Sequence, residues 1–120
     1  MRKCFQLLSV TVALAIASNA FADCSYPKAP QQIPDGKSAS EPQMIEAMAA
    51  FKQYNGDVSS YTACLEKETS DKVREAGGST AAIVQIKTLQ SKKHNSAMGE
   101  LQDKAKEFNE QVRLFKSRAK

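Results

Sequence analysis

The sequence of 120 residues has no tryptophan, a single histidine, and few aromatic residues, which make up 7% of it. We therefore do not expect a large aromatic core. No carboxylate or thiol set at metal-ligand spacing surrounds the histidine, His94, and no nucleophile–base pair or glycine-rich phosphate loop occurs. We therefore expect neither enzymatic activity nor a cofactor or metal.

The sequence also lacks a long hydrophobic run, since its longest apolar stretch is Leu7–Ala17. This stretch is well short of the roughly 20 apolar residues that span a bilayer. Arg2 and Lys3 precede it, and alanines stand at the two positions that a signal peptidase reads. We expect residues 1–22 to be a signal peptide cleaved after Ala22, and the mature protein to be periplasmic or secreted without a transmembrane segment.

Positive charge is less abundant in the mature protein than the whole sequence suggests. Removing the leader takes away Arg2 and Lys3 and lowers the formal net charge from +4 to +2. The remaining 98 residues suffice for one small domain with a marginal core. This modest charge, together with the export signal, argues against nucleic acid as a partner.

Cysteine is scarce but even in number once the leader is gone. Cys4 leaves with the signal peptide, so that Cys24 and Cys64 remain in a chain bound for an oxidising compartment. Their spacing is far from C-x-x-C, which argues against a redox or metal pair. We predict a Cys24–Cys64 disulfide.

The segment of residues 23–39 is rich in proline and cannot be helical. A disulfide at Cys24 would fix one end of it, and the first helix would fix the other. We predict an extended strap lying antiparallel along that helix, with Tyr26 and Ile33 as its apolar anchors.

Two long helical patterns follow the strap. Ser40 and Gln43 form a capping-box pattern, which opens a helix predicted over residues 40–76. Its apolar face is predicted from residues at alternating spacings of four and three: Met44, Met48, Phe51, Asn55, Val58, Thr62, Leu65 and Thr69, widened by Ile45, Tyr54 and Tyr61.

A turn over residues 77–79 separates this helix from a second one, predicted over residues 80–118. The face of the second helix consists of Ile83, Ile86, Gln90, His94, Ala97, Leu101, Ala105, Phe108, Val112 and Phe115. The short turn requires an all-α antiparallel two-helix hairpin, residues 40–120 in all, in which Phe51 is expected to meet Ala105.

The carboxyl-terminal end is basic, with Arg113, Lys116, Arg118 and Lys120 and no acidic residue after Val112. Positive charge suits the negative end of a helix dipole. The same residues are candidates for contact with an acidic partner or an anionic surface, and the sequence leaves both interpretations open.

Some apolar side chains are also open to three interpretations. Tyr54, Tyr61, Met44 and Met98 form a strip that is covered by the strap, by self-association or by a partner. A homo-oligomer is therefore not excluded.

Four motifs carry a resemblance to a known group of proteins. They are C-x-Y-P at Cys24–Pro27, P-D-G at Pro34–Gly36, Y-N-G-D-V-S-S-Y-x-x-C-L-E at Tyr54–Glu66 and F-N-E-Q-V-R-x-F-K at Phe108–Lys116. The chain resembles a family of small exported proteobacterial proteins with no assigned activity. The resemblance implies an exported, disulfide-linked helical protein and transfers no catalytic residue.

Together these features lead us to expect a non-enzymatic exported protein that binds another cell-envelope component. The alternative is a structural, self-associating or chaperone-like envelope protein.

Overall fold

A computed structural model describes residues 23–118 and contains two long helices. Helix α1 spans Glu41–Glu75 and helix α2 spans Thr80–Arg118, each within one residue of the predicted ends. The two helices form an antiparallel hairpin, and the extended strap, residues 23–39, precedes the N-cap residue of α1. The predicted all-α hairpin with a disulfide-tied strap is confirmed. Residues 1–22, which are predicted to be a signal peptide, and Lys120 lie outside the described residues.

Local signals in the sequence set the start of α1. The Ser40 hydroxyl accepts from the Gln43 backbone N–H, and the Gln43 side chain accepts from the Ser40 N–H at 2.8 Å. Two orphan amides of the first turn are thereby satisfied. Pro42 lies in this first turn, where its missing donor costs nothing.

The hairpin turn depends on two glycines. Gly77 and Gly78 have φ values of 59° and 86°, in the left-handed region that favours glycine. Just after them, the Ser79 hydroxyl accepts from the Ala82 N–H and caps α2.

The core is thin and lies along the seam between the helices and under the strap. In α1 the buried side chains are Met44, Tyr54, Val58, Tyr61 and Leu65, and in α2 they are Ala97 and Phe108. Every residue of the predicted α2 face is buried or half-buried. The helical period therefore located the α2 face correctly.

The buried face of α1 is rotated relative to the prediction. Tyr54 and Tyr61 were expected at its edge and are buried, whereas Asn55 is exposed and Met48 is half exposed. The strap causes this difference, because the Tyr26 ring packs edge-on against Tyr61 with centroids 5.3 Å apart. The helix therefore buries residues that face both α2 and the strap.

The expected pairing of Phe51 with Ala105 is wrong by one helical turn. Phe51 stacks on Phe108 instead, with ring centroids 5.3 Å apart and planes 7° from parallel. Side chains on a helix lean toward its amino terminus. In an antiparallel pair each ring therefore contacts a residue of the other helix with a higher number than the residue at the same backbone level.

Candidate binding groove at the hairpin tip

The disulfide fixes where the strap lies. Cys24 is bonded to Cys64 with Cα atoms 5.8 Å apart, as predicted, and Cys24 packs against the cluster of Tyr61, Leu65 and Ala97. From this point the strap runs toward the amino end of α1.

The strap lies in the groove between the two helices rather than on α1 alone. Tyr26 is 44% exposed, and its hydroxyl donates to Glu100 Oε2 of α2 at 3.0 Å. Ile33, the second expected anchor, is half-buried. Contacts to both helices explain why the strap holds the hairpin together.

Sequence reasoning missed a third contact of the strap, Gly36. Its N–H donates to Gln111 Oε1 at 2.8 Å, and a Cβ built on it would lie 2.0 Å from the Gln111 carbonyl oxygen. The Pro34-Asp35-Gly36 motif indicated a turn, and the Asp35 carbonyl does accept from the N–H groups of Ser38 and Ala39. The motif alone carried no sign that the backbone of this turn touches α2.

Beyond Cys64 the same groove continues toward the hairpin tip without strap residues in its walls. We call this part the tip groove, and its volume is about 270 Å³. It is lined by Leu65, Glu68, Thr69 and Lys72 of α1 and by Gln85, Ile86, Leu89, Gln90 and Lys93 of α2. Its position follows from the strap, which among the described residues begins at Asp23, next to the disulfide.

The tip groove combines an apolar floor with charged walls. Leu65 is buried, whereas Leu89 is 51% exposed although it is a large apolar residue. Lys72 donates to Glu68 Oε1, and the side chain of Glu68 is only 10% exposed. The other carboxylate oxygen of Glu68 is buried without a hydrogen-bond partner in the described part of the chain.

Neighbouring carboxylates stabilise the charged form of Lys72. The hydrogen bond to Glu68 raises the pKa of Lys72 above its ordinary value, and the carboxylates of Asp23 and Glu75 raise it further. Lys72 therefore stays charged under all physiological conditions. The tip groove thus offers apolar contact together with both signs of charge, which suits a peptide segment better than a purely apolar ligand.

The other acidic residues near the tip are engaged on the helix surface. Asp71 accepts from Lys67 at 2.8 Å and from Arg74 at 3.1 Å, and the first of these hydrogen bonds chiefly lowers the pKa of Asp71. These are exposed pairs at helical spacing. Their geometry is that of a solvated helix face.

The basic carboxyl-terminal residues are partly used within the fold. Arg113 donates to both carboxylate oxygens of Glu110, at 2.9 and 2.6 Å. Arg118 donates to the Ala39 carbonyl at 2.6 Å and lies over the Phe115 ring. Of the predicted contact residues that the structure describes, only Lys116 lacks such a contact, so this end offers less free positive charge than the sequence suggested.

His94 is half-buried on the seam and does not line the tip groove. Residues 23–118 contain no group of three or more histidine, cysteine or acidic side chains that could hold a metal ion. In the same range no helix has the length and apolar character needed to cross a membrane.

Comparisons with known proteins give no further guide to the tip groove. No protein-family model, curated protein or solved structure matches this chain.

Proposed function

We propose that this chain is an exported, non-enzymatic binding protein whose tip groove takes an extended segment of another cell-envelope protein. One observation carries the proposal: the groove that the strap fills continues from Leu65 toward the hairpin tip with an apolar floor, and among the described residues only helix side chains line it. The disulfide supports it in a weaker way, because such bonds persist in oxidising compartments.

The strap itself supports the expected shape of the ligand. It is an extended segment that binds between the helices through one aromatic ring, backbone contacts and a hydrogen bond to an acidic side chain. A second extended segment that follows the same groove would meet Leu89 and Ile86 with its apolar side chains. The amides of Gln85 and Gln90 would be available to its backbone.

The test compares two apolar residues of α2 that are similarly exposed. Leu89 is 51% exposed and lines the tip groove, whereas Val84 is 58% exposed and does not. A photo-crosslinking amino acid would be placed at each position in turn and activated in cells of the protein's own host. We expect a specific envelope protein, other than a second copy of this chain, to be crosslinked from position 89 and not from position 84.

A follow-up experiment measures affinity for a synthetic peptide from the crosslinked region. Fully burying a leucine side chain contributes about 1.5–3 kcal/mol, and about half of Leu89 is still exposed. Leu89→Glu should therefore weaken binding about four- to tenfold, while Val84→Glu leaves it unchanged. Equal crosslinking from both positions, or none from either, would count against the tip groove as the binding site.

A further inference from the structure

Three of the large exposed apolar side chains lie on the side of the hairpin away from the strap, which we call the outer face. They are Ile45 at 60%, Met48 at 50% and Val84 at 58% exposure. At 3.6 residues per turn, Ile45 and Met48 are about 160° and 140° around α1 from Tyr61, which contacts the strap. Val84 is likewise about 160° around α2 from Glu100, which contacts Tyr26 of the strap. These side chains are therefore not covered by the strap.

The outer face has an apolar depression at the open end of the hairpin. Its volume is about 190 Å³, and it is lined by Glu41, Met44, Ile45, Met48, Val112, Phe115 and Lys116. Glu41 and Lys116 stand at its rim with opposite charges. Within residues 23–118 neither has an ion-pair partner, a feature that they share with other charged residues such as Lys52 and Glu66.

These two charges make the outer face complementary to itself. A twofold axis parallel to the helices places α1 of one copy antiparallel to α2 of the other at the same level. Glu41 then comes to the backbone level of Lys116 of the second copy, and Ile45 to that of Val112 of the second copy. Because the interface is symmetric, both contacts form twice.

Other residues of the outer face keep the same register in this arrangement. Lys52 comes to the level of Ala105 of the second copy, and Glu66 to that of Ser91. At the tip, Val84 comes to the level of Val73 of the second copy. Every helix then has antiparallel neighbours, as in an up-down four-helix bundle.

The available area is sufficient for a specific dimer. Helix α1 has 35 residues and is about 50 Å long, and two helices side by side are about 20 Å wide. Their product is ~1,000 Å² for each copy, compared with about 800 Å² per partner in a standard stable interface. We propose that the outer face binds a second copy of this chain, so that the protein is a dimeric four-helix bundle with a strap and a tip groove on each outside surface.

The mass of the oxidised protein, expressed as the full chain, would be measured by sedimentation from ~1 to ~500 µM. We expect a monomer–dimer equilibrium. Met48→Glu should weaken dimerisation at least tenfold, whereas Leu89→Glu, a matched change on the strap side, should leave it unchanged. Circular dichroism would confirm that both variants remain helical. A monomer at every concentration would overturn the proposal, as would a dimer broken by Leu89→Glu and not by Met48→Glu.

A charge exchange tests the orientation of the dimer. Glu41→Lys and Lys116→Glu should each weaken the dimer severalfold, and the double variant should restore it. Glu41 and Lys116 also interact favourably with the dipoles of the helix ends at which they lie. A helix-dipole effect alone therefore predicts that the double variant dimerises more weakly than either single variant. Failure of the double variant to restore dimerisation would overturn this arrangement.

The inference is independent of the proposed function. Met48 lies on the outer face and Leu89 in the tip groove. Dimerisation can therefore succeed while peptide binding fails, and the reverse.

Discussion

The absence of a side chain at Gly36 decides how closely the strap approaches α2. A Cβ there would lie 2.0 Å from a backbone oxygen of Gln111 and 2.9 Å from the backbone nitrogen of Phe115. Backbone atoms inside a helix cannot move aside as a flexible side chain can. The glycine is therefore required by a close contact, and no left-handed conformation is involved.

Gly36→Ala is expected to lower the free energy of unfolding by about 2 kcal/mol or more, because it forces the strap away from the helix. Gly56→Ala is the matched control, since Gly56 is inside α1 and has open space around it. That change should instead raise stability, by up to ~1 kcal/mol, through helix propensity. Urea unfolding of both variants measures the two effects. Equal stability of the two variants would contradict the close contact.

The hydroxyl of Tyr54 is buried and has no hydrogen-bond partner among the described residues. The ring is 1% exposed, so the hydroxyl has lost its water contacts without replacement. Tyr54→Phe should therefore leave the free energy of unfolding unchanged or raise it by up to ~1 kcal/mol. Tyr26→Phe is the control, because it removes the hydrogen bond to Glu100 and should lower stability by about 0.5 kcal/mol. Chemical denaturation would compare them, and a clear loss of stability in Tyr54→Phe would contradict this description.

Burial also gives the protein a predictable response to alkali. Desolvation raises the pKa of Tyr54 and of Tyr61, with smaller contributions from Glu100 and Tyr26 at the first and from Tyr26 and Glu68 at the second. Above pH ~10 the unfolded chain loses these protons while the folded protein keeps them. The stabilisation is complete below this pH and is lost as the pH rises through the raised values.

We therefore expect the free energy of unfolding to fall as the pH rises above ~10, and to fall less steeply in Tyr54→Phe. Urea unfolding at a series of alkaline pH values measures this slope. Identical slopes in Tyr54→Phe and the unchanged protein would show that Tyr54 does not titrate differently on folding.

At the scale of elements, the strap is the part that most needs a covalent bond. It has no regular secondary structure, and its contacts to the helices consist of one ring and a few hydrogen bonds. The disulfide joins residues 40 positions apart, and a loop of that length would be costly to close without it. The bond also places Cys24 against the Tyr61, Leu65 and Ala97 cluster.

Reducing this disulfide should lower the free energy of unfolding by about 3–4 kcal/mol in the chain-entropy model. The double variant with Cys24→Ser and Cys64→Ser should behave like the reduced protein. Thermal unfolding of oxidised, reduced and double-variant protein under the same buffer conditions makes the comparison. A reduced protein as stable as the oxidised one would mean that the strap holds its place by non-covalent contacts alone.

At the scale of the whole molecule, neither helix has a core of its own. The buried side chains lie where α1, α2 and the strap meet, and each helix alone would expose its apolar stripe. Helices in proteins gain most of their stability from such packing. The three parts should therefore unfold together.

Two probes test this expectation in the oxidised protein. Far-ultraviolet circular dichroism follows the helices, and tyrosine absorbance follows Tyr54 and Tyr61 beneath the strap and Tyr26 within it. We expect both probes to give the same thermal midpoint. Non-coincident transitions would show that the strap or one helix unfolds separately.

The sequence by itself determined the elements and their order. Its signals are local: the capping residues Ser40 and Gln43, the glycines Gly77 and Gly78 at the turn, and an apolar period of 3.6 residues. Local backbone chemistry is sufficient to specify helices and turns. The even cysteine pair likewise predicted the disulfide, since few alternatives existed.

Only the tertiary structure decided how these elements meet. Three features depend on where a distant segment of the chain lies. They are the rotation of α1 that buries Tyr54 and Tyr61, the stacking of Phe51 on Phe108, and the contact of Gly36 with α2. The tip groove is of the same kind, because it exists where the strap stops rather than where a motif occurs. Packing between segments far apart in the chain depends on side-chain direction and close approach, and neither quantity can be read from the spacing of residues along one helix.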